Sequence, residues 1–225
     1  MDFQPSPLAA EYLARLQAFM DAEVFPAEPM YAAQRRELIA TGAPNTLPPV
    51  VEDLKASARA AGLWNLFLPG SVEPDHGLSV TDYAPLAELT GWSPEIAPEA
   101  LNCSAPDTGN MEILYMFGTA AQQERWLAPL LAGEIRSAFS MTEPDVASSD
   151  ASNIELRIDK DGDEYVLNGK KWFSSNALRP SCEVLIVMGK NDPEASRHRQ
   201  QSMIVVPRNA PGISIGRDPL VFGYH

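Results

Sequence analysis

Residues 139–150 read FSMTEPDVASSD. Thr142, Glu143, Ser148, Ser149 and Asp150 follow directly on an apolar, strand-like run. A surface turn accounts for that polarity but not for the order. Residues 169–177, GKKWFSSNA, place Ser174 and Ser175 directly after two aromatics, Trp172 and Phe173. Hydroxyls and backbone N–H groups hydrogen-bond to a ligand without adding a group that titrates near neutrality. Aromatic faces supply apolar area with a defined plane. This is the chemistry of binding and orienting. Glu143 is the carboxylate in the first stretch that invites assignment as a base.

Several other chemistries find no support. The histidines, His76, His198 and His225, are scattered and sit beside polar residues, so no metal site is expected. Cys103 and Cys182 allow one disulfide, but a reduced intracellular protein is the simpler reading. No dinucleotide or phosphate-loop glycine motif stands at a strand-to-helix junction. Seventeen Lys and Arg against 30 Asp and Glu give a net charge of −13, which repels nucleic acid and anionic lipid. An anionic ligand therefore needs a local cationic or amide-lined site. The first residues, MDFQPSPLAAEYL, lack a signal-peptide pattern, and no apolar run approaches the ~20 residues of a membrane span. A soluble, cytoplasmic protein is expected.

The elements that must carry the two stretches fall into two halves. Up to about residue 132 the apolar period is helical. Leu8, Tyr12, Leu16 and Phe19 share a face, and Pro26 and Pro29 then break the pattern. Val51, Leu54 and Ala58 mark a second helix stopped at Gly62. A third starts near Asp82, because Pro85 belongs in a first turn. Met111, Leu114 and Tyr115 form one stripe of a fourth, read as core. A fifth is capped by Thr119 with Gln122 and is either ended or bent at Pro129. Residues 41–49 and 69–79 read as loops.

After residue 134 the period becomes two. Ile154, Leu156 and Ile158 alternate with polar neighbours, and Asp161–Gly162 predicts a type I′ hairpin turn into DEYVLNGKKWF. CEVLIVMGK and QSMIVVPR read as buried strands, and APGISIG as a short last one. Helices first and strands second predict an α+β fold with segregated layers.

The run from LYMFGT to TEPDVASSDASNIE, then GDEYVLNGKKWFSSNA, then SMIVVPRNAPGISIGRDP, resembles the acyl-CoA dehydrogenase family, in the subgroup carrying T-E-P-x-V-A-S-S-D. The resemblance implies an N-terminal all-helical domain, residues 1–134. It also implies an antiparallel β-barrel-like or sandwich middle domain, residues 135–225. The family's C-terminal four-helix domain is absent from the sequence. It implies FAD as cofactor, an acyl-CoA substrate, an electron-transfer flavoprotein as acceptor, and a homodimer or homotetramer. By position, Phe139, Ser140, Met141 and Thr142 would line the flavin, through the Met141 backbone and the Thr142 hydroxyl. Ser148 and Ser149 would reach the FAD pyrophosphate or the CoA arm, with Ser149 a substrate contact. Phe173 stands where the family has a flavin-packing Trp, and Ser174 and Ser175 follow, Ser175 where a Thr bonds near N5.

The two stretches are thus expected to meet on one side of the flavin. Glu143 is structural by this resemblance, and no residue of the chain is assigned as the catalytic base. Lys170 and Lys171 read as solvated strand-end charges, and Arg208 as a surface residue. Two other readings stay open. One is an acyl-CoA oxidase or nitroalkane-oxidase-like flavoenzyme. The other is a non-catalytic acyl-CoA-binding or assembly subunit. Length favours a fragment of a longer protein.

Overall fold

The computed structural model describes residues 4–68 and 78–221, so most of the 69–79 loop lies outside the described residues. The chain divides into two compact units, residues 1–133 and 134–225. The first holds helices α1 (Pro7–Phe19), α2 (Phe25–Ala40), α3 (Val50–Ala60), α4 (Val80–Thr90), α5 (Ala97–Ala100), α6 (Asp107–Phe117), α7 (Ala120–Gln122) and α8 (Ala128–Leu131). The second holds strands β1 (Arg136–Ser140), β2 (Arg157–Asp161), β3 (Glu164–Asn168), β4 (Cys182–Lys190) and β5 (Gln201–Pro207). Helices precede strands, as the change of period requires, and the class is α+β.

The prolines of the helical unit are accommodated, not avoided. A proline ring clashes with the carbonyl four residues back. Here α1 runs through a π turn, Met20–Val24, into α2, which carries both Pro26 and Pro29 to Ala40. The wider turn shifts the carbonyls that a ring would strike. The same device precedes Pro129: a π turn at Gln123–Leu127 leads into α8. Pro85 likewise lies inside α4, which starts at Val80 and not near Asp82. Asp82 is instead the third helical residue of a capping box. Its amide donates to Ser79 Oγ at 3.1 Å, and its carboxylate accepts the Ser79 N–H at 3.2 Å. Thr119 and Gln122 form the second box, as their spacing predicts.

Leu16, Met20, Leu63, Leu66, Leu86 and Leu101 are fully buried together. Each such side chain contributes about 1.5–3 kcal/mol by burial. On α6 the buried stripe is Asp107, Asn110, Met111 and Leu114; Tyr115, expected on it, is exposed.

β4 is the hub of the second unit. It pairs with β1 in parallel, Ser137 opposite Val184 to Ser140 opposite Val187, and with β5 antiparallel. At its end Lys190 meets Arg157 of β2, again in parallel, and β2 pairs antiparallel with β3. The sheet is therefore mixed where wholly antiparallel pairing was expected. The long excursion between β1 and β4, which includes the β2–β3 hairpin, lets β4 return alongside β1 in the same direction. The hairpin register pairs Asp161 with Glu164, so Gly162 and Asp163 are the central residues. Only Gly162 has positive φ, +59°, which fits type II′ and not the expected I′.

Ala138, Leu156, Ile158, Cys182, Leu185 and Val187 form the second core. Two glycines make room for Leu156. A Cβ on Gly169 would lie 2.7 Å from Leu156 Cβ, and one on Gly189 would lie 2.6 Å from its Cδ2. β5 is half-buried at most, not a fully buried strand, and residues 210–216 form no strand.

Candidate functional site

β1 ends at Ser140, and the chain continues extended through Met141 and Thr142. There it meets the second stretch. The Trp172 N–H donates to the Thr142 carbonyl at 3.0 Å, and the Thr142 hydroxyl donates to the Trp172 carbonyl at 2.6 Å. Two segments 30 residues apart in sequence are thereby laid side by side.

A buried ion pair fixes the same junction one residue after Thr142 and one before Trp172. Lys171 Nζ donates to the Met141 carbonyl and to Glu143 Oε1, each at 2.8 Å. The Glu143 carboxylate also accepts the Glu155 N–H at 2.8 Å and the Leu156 N–H at 2.9 Å. The side chains of Lys171 and Glu143 are 9% and 5% exposed. Lys171 is thus not a solvated strand-end charge. It supplies the countercharge without which a buried carboxylate is strongly unfavourable. Burial alone would raise the Glu143 pKa. The Lys171 ammonium and the two backbone amides outweigh it and hold the carboxyl below its ordinary range. Burial lowers the Lys171 pKa, and Glu143 offsets part of that. Buried, paired with Lys171 and accepting two backbone amides, Glu143 acts as a brace between segments. It also bears on why residues 154–156 alternate like a strand yet lie outside β2: the Glu143 carboxylate takes the Glu155 and Leu156 N–H groups, while the Leu156 carbonyl accepts the Lys190 N–H of β4 at 2.7 Å.

Ser148 closes the turn behind Glu143. It is buried, and its Oγ accepts the Glu143 N–H at 2.7 Å. Ser149 beside it is exposed. Phe139 and Ser140 lie in β1 opposite Ile186 and Val187; Phe139 is half-buried and Ser140 buried. Met141 and Thr142 are half-buried, Ser174 is half-buried and Ser175 is exposed.

The second stretch has unusual backbone. Phe173 has φ +51° and Asn176 φ +72°. For a bulky residue the left-handed region costs on the order of 1–3 kcal/mol, and such strain gathers at ligand clamps. The conformation is held by the Ser175 N–H on the Phe173 carbonyl at 3.0 Å and by Asn176 Nδ2 on the Ser137 carbonyl at 3.2 Å. It presents two aromatic rings to the outside: Trp172 is 45% and Phe173 51% exposed, with centroids 4.7 Å apart. Two exposed aromatic faces, followed on the same turn by the Ser174 and Ser175 hydroxyls, fit a planar, polar-rimmed ring such as a flavin. Arg208 is half-buried, with Nε on the Ala177 carbonyl at 2.8 Å, so it braces this segment.

The charge is uneven along the chain. Six Lys and Arg stand against 17 Asp and Glu before residue 134, and 11 against 13 from there on. Almost all of the net −13 thus belongs to the helical unit, and the β unit is near neutrality. Long-range repulsion of an anionic ligand by the unit that carries the two stretches is correspondingly weak.

Comparison with known proteins accords with this arrangement. Residues 138–225 match the family model described as acyl-CoA dehydrogenase, middle domain. The chain is 57% identical to the Mycobacterium tuberculosis (strain ATCC 25618 / H37Rv) protein named "Probable acyl-CoA dehydrogenase FadE2", over 100% of this chain and 54% of that protein. It is 50% identical to Acyl-CoA dehydrogenase family member 11 of Gallus gallus, over 99% of this chain and 28% of that one. A solved acyl-CoA dehydrogenase-family structure from Mycobacterium abscessus is similar with a TM-score of 0.90 at 49% identity, covering 98% of this chain and 55% of that one. The chain spans about half the length, or less, of these relatives. It belongs to the acyl-CoA dehydrogenase family, of which it carries the N-terminal and middle part.

Proposed function

We propose that this chain is the N-terminal and middle part of an FAD-dependent enzyme that converts a saturated acyl-CoA to the trans-2-enoyl-CoA and passes the electrons to an electron-transfer flavoprotein. Residues 1–134 are its helical domain and residues 135–225 its middle domain. The observation that carries the reading is the junction of the two stretches at Thr142 and Trp172, with exposed aromatic faces directly beside it. FAD, when bound, supplies the hydride acceptor.

What this chain contributes is placement. Phe173 and Trp172 offer faces on which a planar ring can rest. Ser175 and Ser174 offer hydroxyls on the same turn. Thr142 spends its own hydrogen on the Trp172 carbonyl, so it meets a ligand as an acceptor through its oxygen. Ser149, exposed at the end of the first stretch, serves phosphate or the CoA arm, whereas Ser148 is held inside the turn. No residue here is assigned the α-proton. Cys103 and Cys182 are both free thiols, which suits a cytoplasmic location, and the working assembly is a homodimer or homotetramer.

The test is direct. The full-length protein should purify yellow, with a flavin spectrum that bleaches on anaerobic addition of an acyl-CoA, and the enoyl thioester should be recovered. Oxygen consumption without an added carrier protein would instead mark an oxidase. A colourless protein that cannot be loaded with FAD would leave only a non-catalytic binding role.

A further inference from the structure

The Trp172–Asn176 segment carries the two exposed rings together with Ser174 and Ser175. It is tied at both ends to the run that leads from β1 into the first polar stretch. One tie is the reciprocal pair of Thr142 and Trp172. The other is Asn176, whose Nδ2 donates to the Ser137 carbonyl at 3.2 Å. Ser137 is fully buried in β1, in register with Val184 of β4, so this second tie ends on the fixed part of the sheet. Between the two ties stand Phe173, Ser174 and Ser175.

These ties act against strain. Phe173 holds a left-handed backbone, φ +51°, which a bulky side chain keeps only when its surroundings over-determine it. The Ser175 N–H closes on the Phe173 carbonyl at 3.0 Å, spanning Ser174 alone. Beyond the second tie the chain is fixed again. The Ala177 N–H donates to the Ser174 carbonyl at 3.1 Å, and the Arg179 N–H to the Asn176 carbonyl at 2.9 Å. Asn176 itself has φ +72° and is half-buried. Glycine meets that backbone most easily, and asparagine is among the few side-chain-bearing residues that visit it. A position that required only the left-handed turn would be served by glycine. Asparagine adds a donor, and that donor goes to β1.

We propose that Asn176 is a positioning residue for the dehydrogenation: its amide, anchored on the Ser137 carbonyl, holds Phe173 and Ser175 at the angle at which they orient the flavin. This rests on the acyl-CoA dehydrogenase reading given above. Asn176 acts through those two residues and not through contact with the substrate. A ring held at a different angle meets the substrate off line, which slows turnover and leaves substrate binding as it was.

The experiment compares the full-length, FAD-loaded wild type with Asn176→Gly and Asn176→Asp. Both substitutions tolerate the left-handed backbone. Glycine removes the side chain, and aspartate turns an acceptor toward a carbonyl in place of the donor. The visible flavin spectrum, kcat and KM for an acyl-CoA, and the unfolding midpoint are measured. Both variants should keep FAD, show a displaced flavin band and lose up to about tenfold in kcat, the worth of one hydrogen bond, with KM unchanged. The inference is overturned if Asn176→Gly matches the wild type in spectrum and kcat, because the asparagine then serves only the turn. It is overturned equally if the midpoint falls while the flavin band and kcat of the folded protein stay in place, or if KM rises and kcat does not change. Should Asn176→Gly fail to fold, Asn176→Asp decides by the same measures. A wild type that takes up no FAD, or that yields no enoyl thioester, overturns the dehydrogenase reading itself. An active wild type matched by Asn176→Gly overturns only the role given to Asn176.

Discussion

The Thr142 hydroxyl donates to the Trp172 carbonyl at 2.6 Å while the Trp172 amide donates to the Thr142 carbonyl at 3.0 Å. This reciprocal pair, not a regular ladder, joins the two polar stretches. Thr142→Val keeps the shape but removes the O–H, leaving the Trp172 carbonyl without that donor. The expected loss is about 1 kcal/mol in stability. Because the junction carries the proposed ring platform, the full-length variant should also bind flavin more weakly or show a displaced flavin spectrum. Thr142→Ser should restore both. A Val variant unchanged in both respects would separate this junction from the cofactor.

Glu143 and Lys171 predict a strongly non-additive pair. Glu143→Gln leaves the Lys171 ammonium buried beside a neutral amide, and one of the Glu155 and Leu156 amides loses its acceptor. Breaking a buried pair from one side costs about 3–5 kcal/mol. Lys171→Met alone should cost a similar amount. The double substitution should cost clearly less than the sum, because neither charge is then left alone. Denaturant unfolding of the four proteins checks this, and simple additivity would contradict the brace.

The same carboxylate sets an acid limb. The Glu143 carboxyl lies below its ordinary 4.5 in the folded chain. Burial pushes it up, but Lys171 and the two amides outweigh that. The folded value being the lower one, the unfolded chain takes up the proton first. The contribution is complete above 4.5 and is lost as pH falls through the folded value. Asp150 shifts the same way, held down first by Ser152 and then by Arg197. Thermal midpoints taken downward from neutral pH should fall more steeply below that point in the wild type than in Glu143→Gln.

Where one physical cause acted alone, the sequence was readable. The 3.6-residue stripe gave Leu16, Phe19, Leu54 and Ala58 their burial, and alternation gave Ile154, Leu156 and Ile158 theirs. Gly62, read as a helix stop, adopts positive φ. The errors arose where a second cause intervened. Pro26 and Pro29 read as a break and Pro129 as an end or a bend, but π turns carry the helix past them, and Pro85, read as a first-turn residue, lies inside α4. Lys171 reads as a surface charge beside Lys170. Only the fold, by bringing it to Glu143, shows that it is buried. Among the proposed site residues, Ser148 and Ser149 are equivalent in sequence, and burial alone separates them. The left-handed backbone at Phe173 has no residue-level signal, since a bulky side chain is the least suited to it.

The two serines give the last prediction. Ser148 Oγ accepts the Glu143 amide at 2.7 Å inside the turn, whereas Ser149 is exposed. Ser148→Ala strands a buried N–H and should cost about 1–3 kcal/mol. Since Glu143 is the brace of the junction, weaker flavin retention should accompany it. Ser149→Ala should move stability by no more than about 0.5 kcal/mol. Its effect should be confined to ligand affinity, read as a higher KM for acyl-CoA or as faster loss of FAD on dilution. Unfolding curves paired with flavin release resolve the two. If the stability loss followed Ser149, or if Ser148→Ala left the unfolding midpoint in place, the division of labour within this pair would be reversed.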